Sequence, residues 1–162
     1  MRKTLRLLIV TSLLACGSLA PSAAVAEPPA IDRDDPYPRV IRLTGVNVTA
    51  ETIDLGAPGS SISDIIVISD ALFQHEEQVG VHGGTCTVVQ VEPVLLHCVV
   101  TFTLPDGQIT VQGLVTPDRA EEQVAVTGGT GAYRAAQGTL TVLEEEGEPA
   151  HYTFKFLRAP TK

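Results

Sequence analysis

Few residues in this 162-residue chain are both reactive in type and spaced to act together. Serines and threonines are plentiful, yet no Gly-x-Ser-x-Gly turn presents one of them as a nucleophile. His75, His82, His97 and His151 have no spacing that sets two imidazoles on one strand face, so no metal site is expected. Asp32, Asp34 and Asp35 lack the glycine turn and distal glutamate of a calcium loop. The run at 127–131, Thr-Gly-Gly-Thr-Gly, has the glycine content of a phosphate loop, but no Gly-Lys-Ser/Thr follows and no helix opens after it. It reads better as a tight corner that needs positive φ. No cofactor is therefore expected. His151 and Tyr152 could reach an interior from a last strand, although alternation admits only one of them. The glutamates at 144–148 read as a solvated hairpin tip.

The elements that must position these groups are strands. From residue 39 onward, short β-branched runs alternate with turn residues, and no amphipathic helix interrupts them. Eight strands are expected, at about 39–50, 63–74, 79–91, 95–104, 108–116, 122–127, 138–144 and 150–158. Leu104-Pro105-Asp106-Gly107 joins the fourth and fifth in a tight hairpin, proline presetting the turn and glycine accepting positive φ. A second turn falls at Glu92-Pro93. A hairpin centred on residue 92 sets Cys86 opposite Cys98 on one face, which predicts a disulfide; two buried apolar thiols are the other reading. Several strands are apolar on both faces: Ile65, Val67 and Phe73 oppose Ile66, Ile68 and Leu72. One face can line a barrel, and the other needs a cover. A homo-oligomer, trimer or dimer, would supply it, as would a covering loop.

Ahead of the strands, three cations and no acid in the first six residues precede an apolar run at 7–15 too short to span a bilayer as a permanent helix. Residues 1–26 read as a signal peptide cut after Ala24-Val25-Ala26, giving a secreted protein. In the alternative, Leu13-Leu14-Ala15-Cys16 is a lipobox and the protein is tethered to a membrane through Cys16. Residues 27–38, rich in proline and charge, read as a disordered linker, and 39–162 as one domain. Losing the signal removes three of eleven basic residues and none of nineteen acidic ones, which leaves a formal charge of −11. Such a surface disfavours nucleic acid and anionic lipid as partners.

Four ordered segments then carry a resemblance: Gly83-Gly84-Thr85-Cys86-Thr87-Val88-Val89-Gln90, Ile109-Thr110-Val111-Gln112-Gly113, the run from Val124 through Gly128-Gly129-Thr130-Gly131-Ala132-Tyr133-Arg134, and Tyr152-Thr153-Phe154. In order and spacing they resemble the allene oxide cyclase barrel, and the Gly-Gly-Thr-Gly-Ala-Tyr-Arg run also resembles the plant dirigent proteins. The resemblance implies an all-β, eight-stranded antiparallel barrel of calycin type, often trimeric, whose apolar cavity folds a reactive small molecule. Set against the cyclase pattern, Arg42 stands where a Glu is expected, and Thr44 and Asp70 stand where two Asn are expected. The polarising carboxylate of true allene oxide cyclisation is thus missing, and Gln137 replaces the second arginine of the dirigent motif. A hairpin folded near residue 56 would bring Arg42 opposite Asp70. The pair is expected either to be the polar, catalytic focus of the cavity or to face solvent at a barrel rim. Thr44, Ile68, Leu72, Phe102, Tyr133 and Arg134 complete the expected ligand-binding set. Two functions follow: a cofactor-free cyclase or isomerase acting by shape on an apolar small molecule, or a non-catalytic exported binding module.

Overall fold

Alternation of side chains along eight consecutive strands, each joined to the next by a hairpin, closes the sheet on itself. A computed structural model of the chain describes residues 40–117 and 119–157; the expected export signal and linker lie outside the described residues. The strands are β1 (Val40–Ile53), β2 (Ile65–Gln74), β3 (Glu77–Val91), β4 (Val94–Leu104), β5 (Gly107–Val115), β6 (Glu121–Gly129), β7 (Gly138–Leu143) and β8 (Ala150–Phe156). Every end falls within three residues of the expected one. They form a closed barrel in sequence order, each strand antiparallel to both neighbours. The all-β, eight-stranded antiparallel barrel read from the sequence is the fold.

One end of the barrel is solid. Leu72, Phe102, Ile109, Leu140 and Phe154 are fully buried there, and Phe154 and Phe156 stack with ring centroids 5.9 Å apart. The expected corner after β6 contains a short 3₁₀ turn, Gly131–Tyr133, that tucks Tyr133 under this core against Phe156. Gly131 opens the turn at φ 58°, a conformation that favours glycine, and an added Cβ would meet the Asp106 carbonyl. The β4–β5 hairpin and this corner thus lock together, with Ala132 N–H donating to Asp106 O at 2.9 Å.

Towards the other end the wall carries the Cys86–Cys98 disulfide, Cα atoms 4.0 Å apart, facing inward with Val88 and Leu96. The turn is centred between Glu92 and Pro93 rather than on residue 92, since Val91 pairs with Val94. A register shift between Val88 and Gln90 leaves Val89 as an extra residue, and that bulge restores the expected Cys86–Cys98 pairing.

The β1–β2 connection differs from expectation. β1 extends to Ile53 and pairs there with Ile65, so the hairpin is centred near residue 59, not 56. Buried Asp64 organises the loop, accepting hydrogen bonds from the backbone N–H of Ser61 at 2.6 Å and of Leu55 at 3.0 Å, and from Ser61 Oγ at 3.0 Å. These bonds hold the Asp64 carboxyl below its ordinary range. As a result Asn47, not Arg42, lies opposite Asp70. Arg42 pairs with Thr153 of β8 and points outward.

The β1–β8 seam is short. Pairing runs only from Val40 with Lys155 to Gly45 with Ala150, while β1 continues along β2 to Ile53. Beyond Gly45 the barrel wall is therefore split on that side, next to the β7–β8 hairpin tip.

Candidate functional site

At the level where the seam parts, the interior turns polar. Asp70 of β2 and His82 of β3 are register partners with inward side chains, and Tyr152 of β8 reaches them across the lumen. The Tyr152 hydroxyl donates to Asp70 Oδ2 at 2.7 Å. His82 Nε2 stands 3.1 Å from the same oxygen and 2.9 Å from the Tyr152 hydroxyl. Asn47 Nδ2 donates to Asp70 Oδ1 at 3.2 Å. With the phenol proton committed to Asp70, both oxygens facing His82 require a donor, which assigns the ring proton to Nε2. His82 Nδ1 is then a buried acceptor, and it has no hydrogen-bond partner.

Burial and partners set the charges. Burial pushes the Asp70 carboxyl up, but hydrogen bonds from His82, Tyr152 and Asn47 outweigh it, so the group sits below its ordinary range as a carboxylate. Burial first, then Asp70 and Glu144, drives the Tyr152 phenol far above its ordinary value. The phenol therefore remains a neutral donor at any working pH. Gly45 makes room for this contact: a Cβ there would lie 2.5 Å from both Asp70 Oδ2 and the Tyr152 ring.

Aromatic edges hold the array in place. His82 lies 4.8 Å from the Phe102 ring and meets Tyr152 edge-on at 5.1 Å, while Phe102 and Tyr152 meet edge-on at 5.3 Å. Two cavities converge here. One, of about 260 Å³, occupies the lumen between His82, Phe102 and Tyr152 and apolar walls that include Ile68, Val100, Val111 and the disulfide. The other, of about 520 Å³, opens through the split seam past Gly45, Asn47 and Asp70. Ile68, His82, Glu144 and Tyr152 border both.

The expected site residues separate. Asp70, Ile68 and Phe102 lie at the cavities. Arg42 and Thr44 do not, because inward Ile41, Leu43 and Gly45 set the parity of β1 and turn the even positions before the bulge outward. Leu72 and Tyr133 are buried in the packed end, and Arg134 is exposed beside the 3₁₀ turn, away from the lumen. His82, Asn47 and Glu144 were absent from the expected set. Parity held the signal for His82, which shares a strand face with inward Cys86; alternation had already narrowed the last strand to His151 or Tyr152.

Chemically, the array offers a neutral phenol donor, a buried carboxylate and an imidazole acceptor within one hydrogen-bond network, beside an apolar space. Among the described residues no group of three or more metal-ligating side chains comes together.

A closed meander of eight strands, packed at one end and hollow at the other over a polar floor, defines a class of small barrels. The chain belongs to the allene oxide cyclase barrel like domain family, whose model matches residues 44–155. It is similar to a solved pyocyanin demethylase, with 31% identity and a TM-score of 0.67, over 73% of this chain and 99% of that one. The exo-specific intermolecular Diels-Alderase AbnU shares the fold at 17% identity and a TM-score of 0.60, covering 72% of this chain and 96% of that one. A pterocarpan synthase dirigent protein shares it at 15% identity and a TM-score of 0.56, covering 76% and 87%. No curated protein matches the chain.

Proposed function

We propose that this protein takes a flat, conjugated small molecule into the lumen and moves a proton on it without a cofactor, as an isomerase or cyclase of secondary metabolites. The observation that carries the reading is the Tyr152–Asp70–His82 array at the floor of an apolar cavity. An acceptor atom of the ligand that displaces Asp70 as partner of the Tyr152 hydroxyl receives a hydrogen bond from a neutral donor. A ligand N–H or acidic C–H near His82 Nδ1 meets an imidazole acceptor whose Nε2 is held by Asp70 and Tyr152. Confinement between apolar walls supplies orientation. The 31% identity to a pyocyanin demethylase, which spans nearly all of that chain, supports a fused aromatic ring system as the ligand type.

The test is to mix the purified chain with pyocyanin and follow its visible spectrum and products. Wild type is expected to bind and convert it, while Tyr152→Phe and His82→Gln lower kcat by about 100-fold or more. Conversion unaffected by both substitutions would contradict the assignment.

A second reading, a non-catalytic binding module outside the cell, is favoured by the expected export signal. The lumen-facing disulfide is consistent with an extracellular protein. Saturable binding with no conversion by wild type would select it.

A further inference from the structure

The lateral opening has a chemical character that the lumen lacks. Its charged lining residues, Asp70, Glu144, Glu145 and Glu148, are all acidic, and among the described residues no lysine or arginine borders it. The glutamates belong to the β7–β8 tip, which is an ordered turn: Glu148 N–H donates to Glu145 O at 3.0 Å, Gly147 takes φ 82°, and Glu144 N–H ties the tip to Ala120 O at 2.8 Å. The arginine bordering the lumen cavity, Arg119, lies beyond this slot and stands 4.0 Å from Glu122. Deeper in, the polar atoms are already spent as donors: the Asn47 amide on Asp70 and Thr49 O, the Tyr152 hydroxyl on Asp70, and His82 Nε2 on the same pair. What is left in the lining is acceptor capacity, and His82, a side chain only 3% exposed that borders both cavities, keeps its buried Nδ1 unpartnered.

Resting on the lumen reading above, we infer that the split between β1 and β8 is a second subsite that takes a cationic edge of the ligand, while its apolar conjugated body lies in the lumen. A cleft lined by one sign of charge with low-dielectric walls focuses its field on what enters. A cation reaching Asp70 from this side adds a counter-charge to a carboxylate that is already ionised and requires no protonation step. An anionic edge would meet four carboxylates and an imidazole lone pair. The ligand is therefore an amphiphilic heteroaromatic cation, oriented with its charge toward the seam.

The experiment compares N-methylacridinium with neutral acridine, two rings of nearly equal shape, by fluorescence titration of the purified chain at about pH 8, in about 0.02 M and 0.5 M salt. The cation is expected to bind at least about ten-fold more tightly than acridine at low salt, and the preference to fall toward parity at high salt. The triple variant Glu144→Gln, Glu145→Gln, Glu148→Gln is expected to reduce the low-salt preference to within about two-fold. Equal affinity of wild type for both rings overturns the subsite and leaves the lumen reading standing. Binding of neither overturns both.

Discussion

Asp70 shows how one carboxylate can be both affordable and useful inside a barrel. Three donors converge on it, and without them burial alone would neutralise it. Because its folded pKa lies below the unfolded one, it stabilises the fold fully above about pH 5, and this contribution is lost as pH falls through the lowered value. Replacing it with Asn turns an amide N–H toward donors, so Asp70→Asn should lower stability near neutral pH by about 1.5–3 kcal/mol. In urea unfolding, the difference from wild type should shrink as pH drops toward about 3. A gap that persists unchanged in acid would mean that Asp70 does not carry its charge in the folded state. This residue was legible as a candidate because a lone acid in an apolar strand stands out. Its partner on β1 was not: Arg42 has the complementary charge, but charge complementarity says nothing about register.

At the scale of elements, turns decide what meets what. The strands were readable from alternation and from Pro-Asp-Gly, since both signals are local. The β3–β4 register was readable because the Val89 bulge offsets the half-residue displacement of the turn centre. The β1–β2 register was not, because an 11-residue connection folds around Asp64, and no local pattern announces where a loop of that length will be pinned. The disulfide closes a short segment, with a sequence separation of 12, across the lumen wall. The Cys86→Ala, Cys98→Ala double variant should be less stable by about 2–4 kcal/mol in denaturant unfolding. Reducing agent should then destabilise wild type and leave the variant unaffected; equal sensitivity would place the effect elsewhere.

Across the whole molecule, charge is unevenly spread. From residue 78 to 117 the only charged residues are Glu92 and Asp106, both at turns, so beyond Glu77 at the start of β3 the outward faces of β3, β4 and β5 carry none. Val81, Val99 and Leu114 are nearly half exposed or more there, and outward Ile65, Val67 and Phe73 of β2 adjoin them. We propose that a second copy of the chain covers this sheet face, as the two-sided apolar strands already suggested. Sedimentation equilibrium should find a dimer or trimer in wild type, and Val99→Glu should shift it toward monomer; a wild-type monomer at all concentrations would refute this. Of the four glutamates read from sequence as a solvated tip, Glu144, Glu145 and Glu148 border the cavities.

The central claim is that the hollow end of the barrel holds a small molecule above Asp70, Tyr152 and His82. Its most direct measurement is a pyocyanin titration of wild type beside Val115→Trp, which adds a ring at the edge of the lumen cavity where the wall is only partly buried. The account predicts one saturable site per chain in wild type, and its loss in a Val115→Trp protein whose circular dichroism shows an intact fold. Equal binding by both proteins, or none by wild type, would contradict it.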